Sequence, residues 1–552
     1  MTDTLMPKLA SVFAEGYGPA RLRADALSGL MVAIVALPLS MAIAIASGVT
    51  PDRGLYTAII GGFLVSALGG SRFQVGGPAG AFIVLVSATV ARHGVEGLLL
   101  ATFLSGLMLA IAGYLRLGKY IKFIPYPVTV GFTAGIAVII FASQLGELFG
   151  LRLDGREPGP ILEKLAALWA ARPTFNPSAF GVAGLTVAVI LLLRRFRPSW
   201  PNLLIAVTLA SLATAVLALP AETIGTRFGG IPRSLPVPAL PSFSPDLVVA
   251  VLPDAVAFAL LGAIESLLSA VVADGMTGRR HRSSMELVAQ GFANVGSALF
   301  GGICVTGTIA RTATNVRSGA TSPVSGMLHA AFLLLFMLVA APLASYIPLP
   351  ALAGVLAVVA FNMVERPAIA ALLRSSRGDA AVLAVTFLLV VFRDLTEGIV
   401  VGFLLGAVLF IDRMGKAVNI REETVPRLVR AIEETGLPER PLVADDPDTV
   451  VYRISGVFFF GAAASVGSVL DRIADQRRNF VLDCADVPLL DSTAASVIEG
   501  LVRKAERAGV RVFIAGLKPD MRKLLEAHEL HAPRLTFTAT VDAAMAEIAA
   551  AG

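Results

Sequence analysis

The chain has 552 residues, of which 56% are hydrophobic and 15% charged, with a net charge of +5 and a mean hydropathy of +0.77. Soluble domains carry about 25% charged residues, so most of this chain reads as lipid-embedded rather than as a soluble enzyme. The basic residues form short clusters between apolar runs, a placement that a bilayer explains and a nucleic-acid-binding face does not.

A short cytosolic segment, 1–24, precedes the first apolar run. That run begins near Leu27, after Arg21, Arg23 and Asp25, and reads as a first span rather than a cleavable signal. Membrane segments are expected near 27–47, 54–68, 97–115, 126–146, 178–193, 202–219, 249–272, 285–303, 323–345, 350–364, 379–392 and 397–411. Two further apolar stretches, 78–91 and about 306–318, are too short to cross a hydrocarbon core that needs about 20 helical residues. The basic clusters decide whether they count. Arg21/Arg23, Arg116/Lys119/Lys122, Arg194/Arg195/Arg197, Arg279/Arg280/Arg282, Arg366/Arg374/Arg377 and Arg413/Lys416 all belong on the cytosolic side. An even number of crossings must separate consecutive clusters, and parity recruits both short segments. The expectation is an α-helical polytopic membrane protein with 14 segments in a 7+7 inverted repeat. Its transport domain covers 25–415, with repeats at about 25–220 and 248–415. The short third and tenth segments then occupy matching positions, the best sequence pointer to a transporter's central site.

After Lys416 a linker (416–440) leads to a soluble α/β domain over 441–552. There 449–454, 479–484 and 510–515 read as buried strands, with helical patterns at 463–477, 493–508 and 519–527.

The cysteines, Cys304 and Cys484, lie in different regions, the five histidines are scattered, and no metal, nucleotide or nucleophile motif is present. The sequence therefore calls for no enzyme, metal or cofactor. Two helix starts carry the chemistry instead: Pro78, Ala79, Gly80 and Ala81 in the first half, and Thr308, Ile309, Ala310 and Arg311 in the second, with Thr308 as the expected N-cap. Helix N-termini expose unpaired N–H groups and the positive dipole end, so two facing starts form an anion site. Glu265 lies in the middle of the eighth span with Ser269 one turn on, and an ionisable group at that depth marks a coupling site. Arg311 opposes the dipole of its own helix, so either Glu265 or a bound anion should compensate it. Snorkelling suits Arg317 better.

The runs LPLSMAIAIASGVTPDRGLYTAIIGG, GGSRFQVGGPAGAF, GAIESLLSAVVADGMTGRRHRSSMELVAQGFANVGSALFGG and TGTIARTATNVRSGATSPVSG resemble the SulP family of sulfate permeases and prestin-related anion transporters. LDCADVPLLDSTAASVIEGL resembles a STAS domain. The resemblance implies a core domain rocking against a gate domain and an anion held between the third and tenth helix starts. It also implies a homodimer in the cytoplasmic membrane, with the N-terminus and STAS domain cytosolic. In bicarbonate-transporting relatives a carboxylate at the position of Glu265 and a hydroxyl at that of Ser269 help bind sodium. That carboxylate is usually aspartate, and the longer glutamate here favours H+ over Na+ as coupling ion. Leu37-Pro38-Leu39-Ser40-Met41-Ala42-Ile43 replaces the V-P-Q-S-M-A-Y of many sulfate-type members and makes the pocket more apolar, which keeps bicarbonate or a dicarboxylate open beside sulfate. The function expected is secondary active anion symport, with a passive exchanger or channel, or a STAS-based sensor, as the other classes. In STAS-type anti-sigma-factor antagonists a serine at a helix start is phosphorylated, and Asp491-Ser492-Thr493 matches that loop. Read locally, Ser492 caps the helix that follows.

Overall fold

A computed structural model describes residues 5–119, 125–153, 158–198, 200–393, 395–416, 419–422, 448–459 and 478–550. The chain divides into two units, Met1–Phe403 and Leu404–Gly552.

The first unit is helical. Helix α1 (Lys8–Ala14) precedes α2 (Pro19–Ala46), and the next segment joins α3 (Pro51–Tyr56), a π-helical turn (Thr57–Gly61) and α4 (Gly62–Leu68). Strand β1 (Gly76–Gly77) leads through a 3-10 turn (Gly80–Phe82) into α5 (Ile83–Tyr114). Then come α6 (Tyr126–Phe149), α7 (Ile161–Ala170), α8 (Pro177–Phe196), α9 (Asn202–Val216) and α10 (Ile224–Phe228). The second half runs α11 (Pro245–Thr277), α12 (Ser283–Leu299), β2 (Thr306–Gly307), α13 (Ile309–Arg317), α14 (Val324–Ala344), α15 (Leu349–Met363), α16 (Arg366–Ser375), α17 (Arg377–Phe392) and α18 (Leu395–Lys416).

Eight described helical stretches are long and apolar enough to cross a membrane. The two short segments are helices of reduced length. α13 has 9 residues, about 14 Å of rise against a hydrocarbon core of about 30 Å. α5 is broken at Gly94, whose φ of 67° and ψ of −172° leave the helical region, so its first part ends at His93. Helices α7, α10 and α16 were not expected. They are short, and all three carry charged residues among apolar ones, which hid them between the longer runs.

Helix packing sorts the first unit into two groups. α2, α4, α5, α11, α12, α13 and α14 pack on one another, and so do α6, α8, α9, α15 and α17. The groups meet where α2 touches α9 and α15, and where the start of α5 touches α6.

The second unit is built on a five-stranded sheet of β3 (Asn419–Glu422), β4 (Thr449–Ser455), β5 (Asn479–Asp483), β6 (Arg511–Ala515) and β7 (Thr536–Thr538), in that spatial order. Only β3 is antiparallel to its neighbour. The described helices that follow β5 are α19 (Ser492–Ala508), α20 (Pro519–Ala527) and α21 (Val541–Ala550). Side chains alternate across the central strands. Phe480, Leu482 and Ile514 meet Ala495, Ile498 and Val502 of α19, while Val481 and Phe513 meet Ala544 and Ile548 of α21. All five residues of β5 are buried, as a doubly covered strand requires.

Two expectations are corrected in this unit. Residues 419–422 belong to the sheet rather than to a linker. The cap of α19 is Asp491, whose Oδ1 accepts the Ala494 N–H at 2.9 Å. Ser492 is the first helical residue, and it is exposed. The linker from 423 to 440 and the helix expected at 463–477 lie outside the described residues.

Burial, with the neighbouring Asp483 charge adding to it, pushes the Cys484 thiol up to about 12. The thiolate is the nucleophile, so a thiol titrating that high stays protonated and inert at neutral pH. In a Cys304→Ser background, a water-soluble maleimide should leave the folded chain unlabelled at neutral pH and label it readily in urea. Fast labelling without denaturant would mean that the β5 edge opens.

Candidate functional site

The two halves of the first unit meet at β1 and β2, which pair antiparallel in the register Gly76↔Gly307 and Gly77↔Thr306. Pro78 removes a donor and keeps Gly77 extended, so the chain cannot enter this point as helix. Two glycines are there for close approach. A Cβ on Gly77 would lie 1.6 Å from Arg311 Nη1, and one on Gly307 would lie 1.7 Å from Gln74 Nε2. Each strand thus carries a long polar side chain of the other half across its glycine.

Extended backbone in an apolar interior needs partners. On the approach to β2, Asn294 accepts from Val305 N–H at 3.0 Å and donates to Val305 C=O at 2.9 Å, with Gln290 donating to the same carbonyl. Ser297 donates to Ile303 C=O at 2.7 Å, and Thr57 Oγ1 accepts the Ile303 N–H at 2.7 Å. On the approach to β1, Glu286 accepts from Ser71 N–H at 2.9 Å. Asn315 donates to Phe73 C=O at 2.9 Å, Ser66 to Gln74 C=O at 3.2 Å, and Thr312 Oγ1 accepts from Val75 N–H at 3.2 Å.

Directly after the strands both chains turn into helix, and no side chain caps either start. Thr308 is the N-cap residue of α13, but its hydroxyl donates to Val75 C=O at 3.3 Å instead of accepting from the helix. That corrects the expected cap and leaves the first-turn N–H groups of α13 without a side-chain acceptor. Around the crossing Pro78, Ala79, Ala81 and Thr308 are buried, whereas Gly80 and Ile309 are half-buried and Ala310 is exposed. A Cβ on Gly80 would meet Ile140 of α6 and Met363 of α15. The first helix start therefore looks onto an apolar wall belonging to the other packing group.

Arg311 is 1% exposed and does not snorkel. Its guanidinium donates to Ser40 Oγ at 3.0 Å and to the carbonyls of Gly76 and Pro78 at 3.4 Å each. Among the described residues it forms no ion pair with Glu265, so carbonyl and hydroxyl oxygens supply the compensation expected from that carboxylate. The side chain lies under β1 and Pro78 rather than beside the exposed Ala310. Glu265 is 8% exposed, and among the described residues its carboxylate has no hydrogen-bond or ion-pair partner. Its helix packs on both β2 and α13. Ser269 is fully buried and donates to Thr312 Oγ1 at 3.0 Å, with its own lone pairs still available. Next to Glu265, Ser266 accepts from Gln74 Nε2 at 2.7 Å.

Gln74, Gln290, Asn294, Ser297, Thr312 and Asn315 were missed in the sequence. A signal existed for three of them: Gln290, Asn294 and Ser297 recur at helical spacing on one face of an otherwise apolar span.

A model of the sulfate permease family matches residues 22–386, and one of the STAS domain matches 440–544. The chain is 41% identical over 515 residues to "Putative sulfate transporter YvdB" of Bacillus subtilis, covering 93% of this chain and 94% of that one. It is 31% identical over 519 residues to "Bicarbonate transporter BicA" of a Picosynechococcus species, covering 92% and 91%. Among solved structures, the transmembrane domain of a cyanobacterial bicarbonate transporter BicA superposes with a TM-score of 0.62 at 33% identity, over 69% of this chain and 98% of that one. Murine Slc26a9 in its inward-facing state has the same fold, with a TM-score of 0.85 at 17% identity over 99% and 94%.

The burial of Arg311 makes its charge testable apart from its contacts. Arg311→Gln keeps much of the hydrogen bonding and removes the charge. At an effective dielectric of about 20, a nearby unit charge contributes on the order of 1–2 kcal/mol per unit of substrate charge. Binding of sulfate should therefore weaken about tenfold more than binding of bicarbonate, measured by calorimetry on purified protein. Equal losses would make Arg311 a strut beneath Pro78.

Proposed function

The chain belongs to the sulfate permease family, and from that premise we propose that it is a secondary active transporter of a small anion, coupled to protons. The observation that carries the reading is the meeting of two uncapped helix starts at one strand crossing. Each start presents roughly half a positive charge and free N–H groups. Together they hold an anion without pairing it to a permanent cation, while Arg311 adds potential from behind the strands. Sulfate, bicarbonate and small carboxylates all suit such a site, and the names of the relatives favour the first two.

Glu265 supplies the coupling. An ionised carboxylate without a partner is costly at membrane depth, so it carries a proton when no cation is beside it. Sodium held by Glu265 and Ser269 is the alternative. In our reading fourteen segments cross the cytoplasmic membrane, with the basic clusters, the N-terminus and the STAS domain in the cytosol and a homodimer as the assembly. Alternating access follows if the packing group that carries both helix starts moves against the group that supplies Ile140 and Met363. In the STAS domain, a phosphate on Ser492 would meet the positive end of α19.

Proteoliposome uptake tests the reading. Radiolabelled sulfate, bicarbonate and fumarate are compared under an inward proton gradient, an inward sodium gradient and none. Accumulation above equilibrium with the proton gradient is expected for one of them. Glu265→Gln should abolish that accumulation and leave exchange of internal for external anion. Gradient-driven uptake by the variant at the wild-type level would remove Glu265 from the coupling, and equilibration without accumulation would favour the passive exchanger.

Removal of residues from 440 onward should leave the membrane domain folded, because its backbone is satisfied by its own helices and side chains. Transport rate or dimer yield should fall. Full retention of both would show that the STAS domain serves neither.

A further inference from the structure

Two short helices stand apart from the spans. α7 (Ile161–Ala170) joins α6 to α8, and α16 (Arg366–Ser375) joins α15 to α17. In the expected inverted repeat these are the same connection, between the fifth and sixth segments of each half. Both helices pack on the same two spans, α6 and α17. They do so at opposite ends of α6. Leu168 of α7 lies against Gly146, where a Cβ would be 3.6 Å from Leu168 Cδ2. Leu372 of α16 packs on Val130 of α6 and on Leu383 of α17. At about 1.5 Å of rise per residue, Val130 and Gly146 are about 24 Å apart along α6. The hydrocarbon core is about 30 Å thick, so the two contacts fall near its two edges.

The outward faces of these helices have the polarity of a membrane surface. On α7, Leu162, Leu165 and Trp169 share one exposed helical face, while Lys164 is turned toward the protein. Trp169 is 70% exposed and Lys164 9%. In water that arrangement is backwards, since lysine belongs outside and leucine and tryptophan inside. Against acyl chains it is the stable one. The spans beside α7 are apolar on the outside as well, with Phe141 of α6 and Leu388 and Phe392 of α17 exposed. On α16, Leu373 is exposed between Arg366 and Arg374, and exposed Phe361 precedes the helix. Each helix also has a guanidinium laid on an exposed ring. Arg172 lies 4.8 Å from the Trp169 centroid, and Arg366 lies 4.3 Å from that of Phe361. Neither guanidinium has an ion-pair partner among the described residues. A stacked guanidinium keeps its N–H edge available to an oxyanion. A ring at the acyl boundary with a cation above it matches a phospholipid headgroup layer in both polarity and charge.

We propose that α7 and α16 are a matched pair of interfacial helices, one in each headgroup layer, and that phospholipid covers them. Acyl chains lie against Leu162, Leu165 and Trp169 on α7, and against Phe361 and Leu373 at α16. Lipid phosphate sits on Arg172 and Arg366. This rests on the reading of α6 and α17 as membrane spans. A group of helices gripped at both headgroup layers keeps its depth in the bilayer, so the pair holds the wall of Ile140 and Met363 in place.

Tryptophan emission tests it, because Trp169 and Trp200 are the chain's two tryptophans. Trp200→Phe leaves Trp169 as the reporter in the full chain, reconstituted in vesicles of phosphatidylcholine and phosphatidylglycerol. Lipid brominated near the headgroup end of its acyl chain should quench Trp169 strongly, and lipid brominated near the terminal methyl should quench it less. A chain with Trp169→Phe, Trp200→Phe and Phe361→Trp should give the same order from α16, and Leu373→Trp reports from the same face if Phe361→Trp does not fold. The reverse order, or no quenching by either lipid, overturns the proposal. In the second case quenching by iodide would show water over the helix, and its absence a second copy of this chain. Sidedness is read on intact cells, in a Cys304→Ser and Cys484→Ser background. A membrane-impermeant maleimide should label Glu163→Cys directly and Arg374→Cys only after permeabilisation. Labelling of both from one side overturns the pairing, whereas the reverse pattern keeps the pair and inverts the orientation proposed above. None of these measurements depends on uptake, on anion binding or on Glu265.

Discussion

Everything in the first unit is arranged around one constraint: two stretches of extended backbone cross in an apolar interior, where each N–H and C=O must find a partner within the protein. Two residues of strand on each side can satisfy only a few of these groups. The rest fall to side chains of the surrounding helices, which explains why apolar spans carry Asn294, Gln290, Ser297, Thr57, Ser66, Thr312 and Asn315 facing inward. Several of these reach across the halves. Thr312 and Asn315 of the second half serve the approach to β1, and Thr57 of the first half serves the approach to β2. The halves are thereby joined at the crossing by hydrogen bonds in both directions.

The same constraint creates the site. A helix that begins in the interior leaves its first N–H groups unsatisfied, and a local acceptor would silence them. Here the local candidate, Thr308, spends its hydroxyl on Val75 C=O, which strengthens the crossing and leaves the helix start open. Arg311 follows the same logic. Its guanidinium binds Gly76 and Pro78 carbonyls, so its contacts brace the strand while, among the described residues, no carboxylate pairs with its charge. A positive field with no fixed anion facing it suits a ligand that must be bound and later released.

Much of this architecture was legible in the sequence, for physical reasons particular to each element. The short helices after β1 and β2 were expected because their apolar runs are short, and Gly76-Gly77-Pro78 and Thr306-Gly307 mark places where helix cannot continue. Three of the five described strands of the second unit were found because TVVYRI, NFVLDC and VRVFIA are short apolar runs bounded by polar turns, whereas the three-residue β7 was too short to stand out. What failed depended on direction. Sequence put Arg311 in the first turn but could not say that its side chain bends beneath β1, because that depends on Gly77 having no Cβ. Ser492 and Asp491 are both competent caps, and only backbone geometry chose Asp491. β3 was hidden because a single edge strand, Asn419–Glu422, reads as charged linker until its partner β4 is known.

The contrast between the two walls of the site bears on how it can move. On the side of the crossing, contacts are hydrogen bonds of fixed length and direction, and sliding one strand by one residue would break the set around Val75 and Val305 together. On the opposite side Gly80 faces Ile140 and Met363, and α2 meets α9 and α15 through apolar side chains such as Met41, Leu203 and Leu352. Apolar contact is non-directional, and its strength follows buried area rather than register. The boundary between the groups can therefore shift at small cost, while the crossing cannot. In the alternating access proposed above, a substrate held by the helix starts would travel with the group that carries the crossing, and the polar network that pins the strands would keep its site intact.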